Sequence, residues 1–331
     1  AMSALLEIER LRVDFAPRHG HVPALDQVTL DVREGETLGI VGESGCGKSI
    51  TALSIMGLLP QPPGKVVDGS IRLGGEELLG ASRRRLRALR GSEIAMIFQE
   101  PMTSLNPVFT AGEQLAEAIM LHQNLGREEA LKAAVALLDR VGIPDPGRRA
   151  QSYPHQLSGG MRQRVMIAMA VSCRPKLLIA DEPTTALDVT VQAQIFDLLN
   201  DIQREFGTAI VMITHDMGAI AEMADRVAVM YAGRVIEQGA ADAILDDPLH
   251  PYAEGLIACI PALGKGEETD DRPPPLAEIP GVVPPLHLIG DGCAFAARCP
   301  KRFSRCDDEK PRLAGDPAHP AACFAVEEAR A

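Results

Sequence analysis

Gly42-Glu43-Ser44-Gly45-Cys46-Gly47-Lys48-Ser49 decides how the rest of this chain is read. Its spacing is G-x-x-x-x-G-K-S/T, that of a phosphate-cradling P-loop. Thr37-Leu38-Gly39-Ile40-Val41 precedes it, short and apolar enough for a buried strand. Ile50 to Leu59 follows as an expected helix that must stop before Pro60. Strand, glycine loop and helix are the context that separates a working P-loop from a chance glycine turn. The glycines let backbone N–H groups close on phosphate oxygens without a Cβ in the way. The helix N-terminus adds partial positive charge. In that reading Lys48 reaches the β- and γ-phosphates, and the Ser49 hydroxyl holds Mg²⁺.

Composition narrows the class. With 331 residues the chain can bury a large core and form two structural units. A hydrophobic content of 46% excludes a disordered chain. The net charge of −12 argues against a non-specific nucleic-acid binder, so no nucleic-acid partner is expected. No apolar run approaches the roughly 18 residues that span a bilayer. No basic start followed by an apolar core marks a secretion signal, so a cytosolic protein is expected, with any membrane role coming through a partner. Seven cysteines are unevenly spread: Cys46, Cys173 and Cys259 are scattered, while Cys293, Cys299, Cys306 and Cys323 crowd into the end. A cytosolic compartment disfavours disulfides, so that crowd asks for a metal explanation.

Taken in order, residues 4–40 read as β-rich. Leu5 to Ile8, Leu11 to Phe15 and Val28 to Val32 each alternate in polarity. Phe15 ends an early strand, where it serves either as core or as a stacking surface for an adenine ring. Residues 66–78 give a short β pair around Gly69 and Gly74-Gly75. Ile94 to Phe98 is the next strand, and Gln99 at its end is placed to touch Mg²⁺ or an attacking water. Residues 112–142 read as helical, with Leu131, Ala134, Val135, Leu138 and Val141 at helical spacing.

Leu157-Ser158-Gly159-Gly160 is a second small-residue turn that opens a helix, hence a second anion site. One nucleotide has no use for both turns on one side, so one of them serves a nucleotide held by another subunit. Leu177 to Ala180 is an apolar strand ending in Asp181-Glu182. Asp181 suits water-mediated Mg²⁺ binding. Glu182 suits activation of a water as general base. A helix with Val191, Ile195, Leu198, Leu199 and Ile202 on one face comes next. Then Ala209 to Thr214 forms a third buried strand that ends at His215, whose imidazole is placed to meet the γ-phosphate. Two further strands, Arg226–Met230 and Arg234–Gln238, follow. Strands alternating with helices imply a parallel sheet covered on both faces.

The set Gly42–Ser49, Gln99, Leu157–Gly160, Asp181-Glu182, Asp188 and His215, in that order, resembles the ABC-type ATPase domain. The resemblance implies an α/β P-loop NTPase fold over residues 4–261, with a parallel-sheet core, an antiparallel β subdomain and a helical subdomain at about 102–172. It implies ATP and Mg²⁺ as ligands and ATPase activity, with Lys48, Gln99, Glu182 and His215 catalytic. Phe15, Gly42, Glu43, Ser44, Gly45, Cys46, Gly47, Lys48, Ser49, Thr51, Gln99 and Asp181 would contact the nucleotide. Ser49, Gln99 and Asp181 would hold Mg²⁺. It also implies a head-to-tail dimer with a second ATPase subunit, identical or homologous. Ser158, Gly159 and Gly160 would act in trans on the partner's nucleotide, and Asp188 would cross the interface. Cys46 would contribute only its backbone N–H.

Phe98 to Pro107, His250-Pro251-Tyr252 leading to Ile260-Pro261, and Gly292-Cys293-Ala294-Phe295 with Arg298-Cys299-Pro300 look like the ATP-binding subunits of bacterial dipeptide/oligopeptide importers, the peptide/nickel transport family. That likeness implies two integral membrane permeases, an extracytoplasmic solute-binding protein and a place on the cytoplasmic face of the inner membrane. Residues 100–107 would face a permease. Residues 262–331 are expected as a Pro-rich connector and a small Cys-rich C-terminal extension. Its four cysteines are separated by five, six and sixteen residues, which fits neither the tight pairs of structural zinc nor the common ferredoxin runs. Iron–sulfur, zinc and no metal all stay open from the residues. The resemblance points to a 4Fe–4S cluster on Cys293, Cys299, Cys306 and Cys323.

Two other functions compete. A soluble ABC-type mechanoenzyme without a permease usually carries two ATPase domains or a coiled-coil arm, and residues 100–156 are too few for such an arm. A metal-sensing module with vestigial ATPase activity would not need Lys48, Glu182 and His215 intact.

Overall fold

The structure is a computed structural model that describes residues 4–16, 22–99, 104–185, 187–260, 278–284 and 288–329. Most of the connector expected at 262–286 lies outside them, as do residues 100–103 of the expected permease-facing stretch. In chain order the strands are β1 (Ala4–Phe15), β2 (Val22–Arg33), β3 (Thr37–Val41), β4 (Gly64–Leu73), β5 (Glu76–Glu77) and β6 (Ile94–Ile97). Then come β7 (Leu177–Asp181), β8 (Ala209–Thr214), β9 (Arg226–Tyr231), β10 (Arg234–Ala240), β11 (Ala314–Asp316) and β12 (His319–Ala321). The principal helices are α1 (Lys48–Ile55), α2 (Arg83–Leu89), α3 (Ala111–Gln123), α4 (Arg127–Arg140), α5 (Gly159–Val171), α6 (Val189–Phe206), α7 (Met217–Met223) and α8 (Pro251–Ala258).

One sheet is antiparallel, in the order β2-β1-β4-β5. The other runs β11-β12-β10-β9-β3-β8-β7-β6. Its strands β9, β3, β8, β7 and β6 are parallel, whereas β10, β12 and β11 pair antiparallel. Every residue of β3, β7 and β8 is buried, as a parallel strand covered on both faces requires. Alternation then sorts side chains between the two faces. Leu177, Ile179, Val211 and Ile213 join Leu38, Ile40, Ala52 and Ile55 in a core shared with the antiparallel sheet. Leu178, Ala180, Ile210 and Met212 join Val165 and Ile167 of α5 and Ile195, Phe196 and Leu199 of α6 in a core on the other face.

The differences from expectation have local causes. Leu5–Ile8 and Leu11–Phe15 are one strand, not two, because a bulge at Arg10 (φ +47°) resets the alternation. Opposite it Gly69 adopts φ +102°, and a Cβ there would come within 2.6 Å of the Leu11 Cα. The helix after the P-loop ends at Ile55 rather than Leu59. The long helix expected at 112–142 is two helices, divided where Asn124 turns left-handed (φ +53°) ahead of Gly126. Thr110 and Glu113 form a capping box that starts the first of them.

The C-terminal region joins the main sheet. Hairpin β11–β12 adds to the edge of β10 through the pair Glu237–Ala321. Glu237 is 0% exposed. It accepts hydrogen bonds from the Leu249 and His250 N–H groups, both at 2.8 Å, and stands 2.7 Å from the His319 Nε2. A buried carboxylate so supplied with donors is a fixed anchor.

Candidate active site

Parallel register brings the candidate residues to one edge. Val41 pairs with Thr214, Asp181 with Ile213 and Ile97 with Ala180, so β3, β8, β7 and β6 end almost level. Gly42, His215, Glu182 and Gln99 therefore emerge together at the carboxyl edge, where open α/β sheets receive ligands.

The P-loop wraps the start of α1. Gly47 occupies its N-cap at φ +108°, and a Cβ there would lie 2.6 Å from the Leu25 Cδ2. Lys48 is 6% exposed, and its ammonium donates to the carbonyls of Gly42 (2.5 Å) and Glu43 (3.1 Å). Ser44, Gly45 and Ser49 are exposed on the outer side of the loop. Cys46 is fully buried, its thiol pushed up by burial, and its N–H bonds the Glu43 carbonyl. Thr51 is also fully buried, and its hydroxyl donates to the Gly47 carbonyl at 3.1 Å, so it braces the turn from below.

Ser49 Oγ meets Asp181 Oδ1 at 3.2 Å across 132 residues of sequence. Burial raises the Asp181 carboxyl, opposed by that hydrogen bond and reinforced by the neighbouring Glu182. A hydroxyl beside a carboxylate is an all-oxygen donor set suited to a hard cation. Glu182 is held in left-handed backbone (φ +48°), an unusual conformation for a non-glycine residue. Its Oε2 accepts from Gln99 Nε2 (2.9 Å) and Thr185 Oγ1 (2.8 Å), and its Oε1 lies 3.2 Å from His215 Nδ1. Partial burial raises its pKa. The hydrogen bonds from Thr185 and His215, with the charges of His215 and Lys48, outweigh that and hold the carboxyl below its ordinary range. Glu182 is thus ionised and aimed, suited to orienting and polarising a water.

Other candidates stand apart from this group. Ser158 caps α5, its side chain accepting from the Met161 N–H at 3.3 Å, and Ser158 and Gly159 are exposed. Asp188 caps α6 through the Val191 N–H at 2.9 Å, and the adjacent Val189 is 82% exposed. Among the described residues no hydrogen bond or ion pair joins Ser158, Gly159, Gly160 or Asp188 to residues 42–49. Phe15 sits half-buried at the margin of the core under the antiparallel sheet.

Cys293, Cys299, Cys306 and Cys323 line one small cavity with His250 and Phe295. Burial pushes the Cys293 thiol up to about 11, and the other three stand close enough to add to the effect. Among the described residues no three His, Cys, Asp or Glu side chains are grouped closely enough to hold a metal ion. Burial, helped by the Lys301 charge, pushes His250 down to about 3. It stays neutral, and its Nδ1 accepts from the Tyr252 N–H at 3.0 Å.

Thr185 was not legible as a partner of Glu182, although it lies three residues on. Tyr252 and Arg298 reach the P-loop at Glu43 from 209 and 255 residues away, with no local signal to announce them.

Sequence comparison fits this geometry. The ABC transporter family matches residues 25–185, and the oligopeptide/dipeptide transporter C-terminal region matches residues 236–306. The oligopeptide transport ATP-binding protein OppD of Salmonella typhimurium is 51% identical over 97% of this chain and 94% of its own length. The chain belongs to the ATP-binding subunits of the oligopeptide/dipeptide ABC transporters. The dipeptide transport ATP-binding protein DppD of Bacillus subtilis, another relative, is 50% identical over 92% of this chain and 90% of its own. Among solved structures, the dimeric ATP-binding cassette MJ0796 bound to ADP and Pi superposes with a TM-score of 0.64 at 29% identity, covering 71% of this chain and 98% of that one. The family assignment makes the chain an ABC-type ATPase. No helix among the described residues is long and apolar enough to cross a membrane.

Proposed function

We propose that the chain is the ATP-hydrolysing subunit of a membrane importer for di- or oligopeptides, acting peripherally at the cytoplasmic face of the inner membrane. The observation that carries it is the convergence on Glu182 of Gln99, Thr185 and His215, beside a P-loop whose Ser49 meets Asp181. Lys48 draws in the γ-phosphate. Glu182 orients the attacking water and His215 holds Glu182 in place. Ser49 and Gln99 directly, and Asp181 through water, would hold Mg²⁺, which supplies charge neutralisation on the phosphate oxygens. Ser158 of the partner subunit would complete the site, and its exposure here supports that reading.

The ATPase unit would span residues 4–261. Two permeases and an extracytoplasmic binding protein would complete the importer. The surface for a permease would be residues 100–107 together with the adjoining Val108 and Phe109. Val108 is 70% exposed and Phe109 borders a cleft with Glu117, Met120 and Leu131 between α3 and α4. The test is reconstitution. Peptide-loaded binding protein should stimulate phosphate release by the assembled complex, and Val108→Asp/Phe109→Asp should abolish that stimulation. A chain that co-purifies with no membrane permease would instead support the mechanoenzyme reading.

In the Cys-rich region, spanning 262–331 with its connector, the four cysteines would hold a 4Fe–4S cluster. A single zinc draws its thiolates to about 2.3 Å from one centre. What supports a cluster is that all four cysteines line one cavity. Such a group supplies structural cross-linking or redox sensing. Anaerobic purification should give a brown protein containing iron, lost in Cys293→Ser. A colourless, iron-free protein would remove the cluster.

A further inference from the structure

Glu43 is the second residue of the P-loop, and every polar part of it is held. Its N–H donates to the Tyr252 hydroxyl at 2.8 Å, and its carbonyl accepts from Lys48 Nζ at 3.1 Å. Its carboxylate is gripped by both ends of one guanidinium. Arg298 Nη1 donates to Oε2 at 2.6 Å and Nη2 to Oε1 at 2.9 Å. Arg298 ends the 3₁₀ turn Ala296–Arg298, between Cys293 and Cys299, and its side chain is only 4% exposed. Its remaining donors are also used: Nε to the Pro280 carbonyl at 2.8 Å, and the terminal nitrogens to the Tyr231 hydroxyl (3.4 Å) and the Ile279 carbonyl (3.3 Å). Beneath the fork, Tyr231, Tyr252 and Phe295 pack edge to face, with centroids 4.7–5.4 Å apart. An Arg held at every nitrogen is preorganised, and a bidentate fork fixes a carboxylate in direction as well as charge.

The electrostatic consequence falls on the nucleotide. An unpaired carboxylate in the P-loop would repel an incoming triphosphate. It would also free the backbone segment whose carbonyl meets Lys48. We propose that Arg298 is a positioning residue for ATP: it neutralises and orients Glu43, so the C-terminal region sets the affinity of the P-loop in its own chain. The proposal rests on the reading of Gly42–Ser49 as the ATP site.

The test uses the full-length chain, with MgATP binding measured by titration and hydrolysis measured in the assembled complex. Arg298→Ala should weaken ATP binding about tenfold, the size expected for one charge-assisted contact. KM for ATP should rise in step while kcat changes little. Adding Glu43→Gln to Arg298→Ala should recover most of the lost affinity, because the repelling charge is gone. A purely structural role predicts no recovery. Arg298→Lys keeps the charge and loses the fork. It should show an intermediate loss, and it carries the test if the Ala variant does not fold. Wild-type affinity in Arg298→Ala, or in Arg298→Lys if the Ala variant does not fold, would overturn the proposal, as would a double variant as weak as the single. Lys48→Ala separates the two levels. If it abolishes binding while Arg298→Ala does not weaken it, only the role of Arg298 falls. If it too binds normally, the ATP site itself has been misread.

Discussion

Two helix starts in this molecule look alike in sequence and differ in surroundings. The P-loop opens α1 with a left-handed glycine at its N-cap, Lys48 buried behind it and Asp181 reaching Ser49. The Leu157–Gly160 turn opens α5 with Ser158 capping its own first turn through the Met161 N–H, and the Arg162 Nε bonds the Leu157 carbonyl from one turn on. Both present helix N–H groups, and both suit an anion. The first gathers a buried ammonium and, from another strand, the carboxylates of Asp181 and Glu182. The second is an exposed surface, and Asp188 with the exposed Val189 lies on a second helix start. The contrast fits the proposal that the nucleotide site is divided between two chains.

Breaking the furnished half should have the largest effect. Glu182→Gln is expected to retain ATP yet lower phosphate release by about 10²–10⁴-fold, the range for losing a general base. Lys48→Ala should fail at the earlier step of binding. Rapid-mix phosphate release and equilibrium ATP binding distinguish the two, and near-wild-type turnover in Glu182→Gln would remove Glu182 from the chemistry.

The exposed half should be replaceable in trans. Ser158→Arg and Lys48→Ala chains are each expected to be inactive in a self-associated pair. Mixed together, they should regain ATPase activity, because one of the two composite sites is then intact. A mixture as dead as its components would argue that each chain works alone.

Stability should report the same contrast at smaller scale. Gly47→Ala forces a side chain into φ +108° and against Leu25, and should cost on the order of 1–3 kcal/mol in urea unfolding. Ser158→Ala loses one cap and should cost about 1 kcal/mol. Its loss of ATPase activity in the assembled complex should be out of proportion to that small change.

Much of this was legible in the residues, for physical reasons. Parallel strands covered on both faces must be continuous apolar runs, so Leu38–Val41, Leu177–Ala180 and Ala209–Ile213 announced themselves. Each ends abruptly in a glycine, an acid or a histidine, which marks the carboxyl edge. The bulge at Arg10 was not legible, because one inserted residue flips the alternation and imitates a strand end. The break at Asn124 is hidden inside a long helical period, although the Asn-Leu-Gly run carries a turn signal. Strand β12 is three residues including Pro320, too short for periodicity to show. The grip of Arg298 and Tyr252 on Glu43 is purely tertiary, and no local pattern encodes it.

The division of the ATP site between two chains is tested most directly by sedimentation of the Glu182→Gln protein with and without MgATP. The account predicts a shift from the 35.4 kDa chain to a species of twice that mass on adding MgATP, abolished by Ser158→Arg in the same chain. A chain that binds MgATP and stays at 35.4 kDa, or one that dimerises equally well with Ser158→Arg, would contradict it.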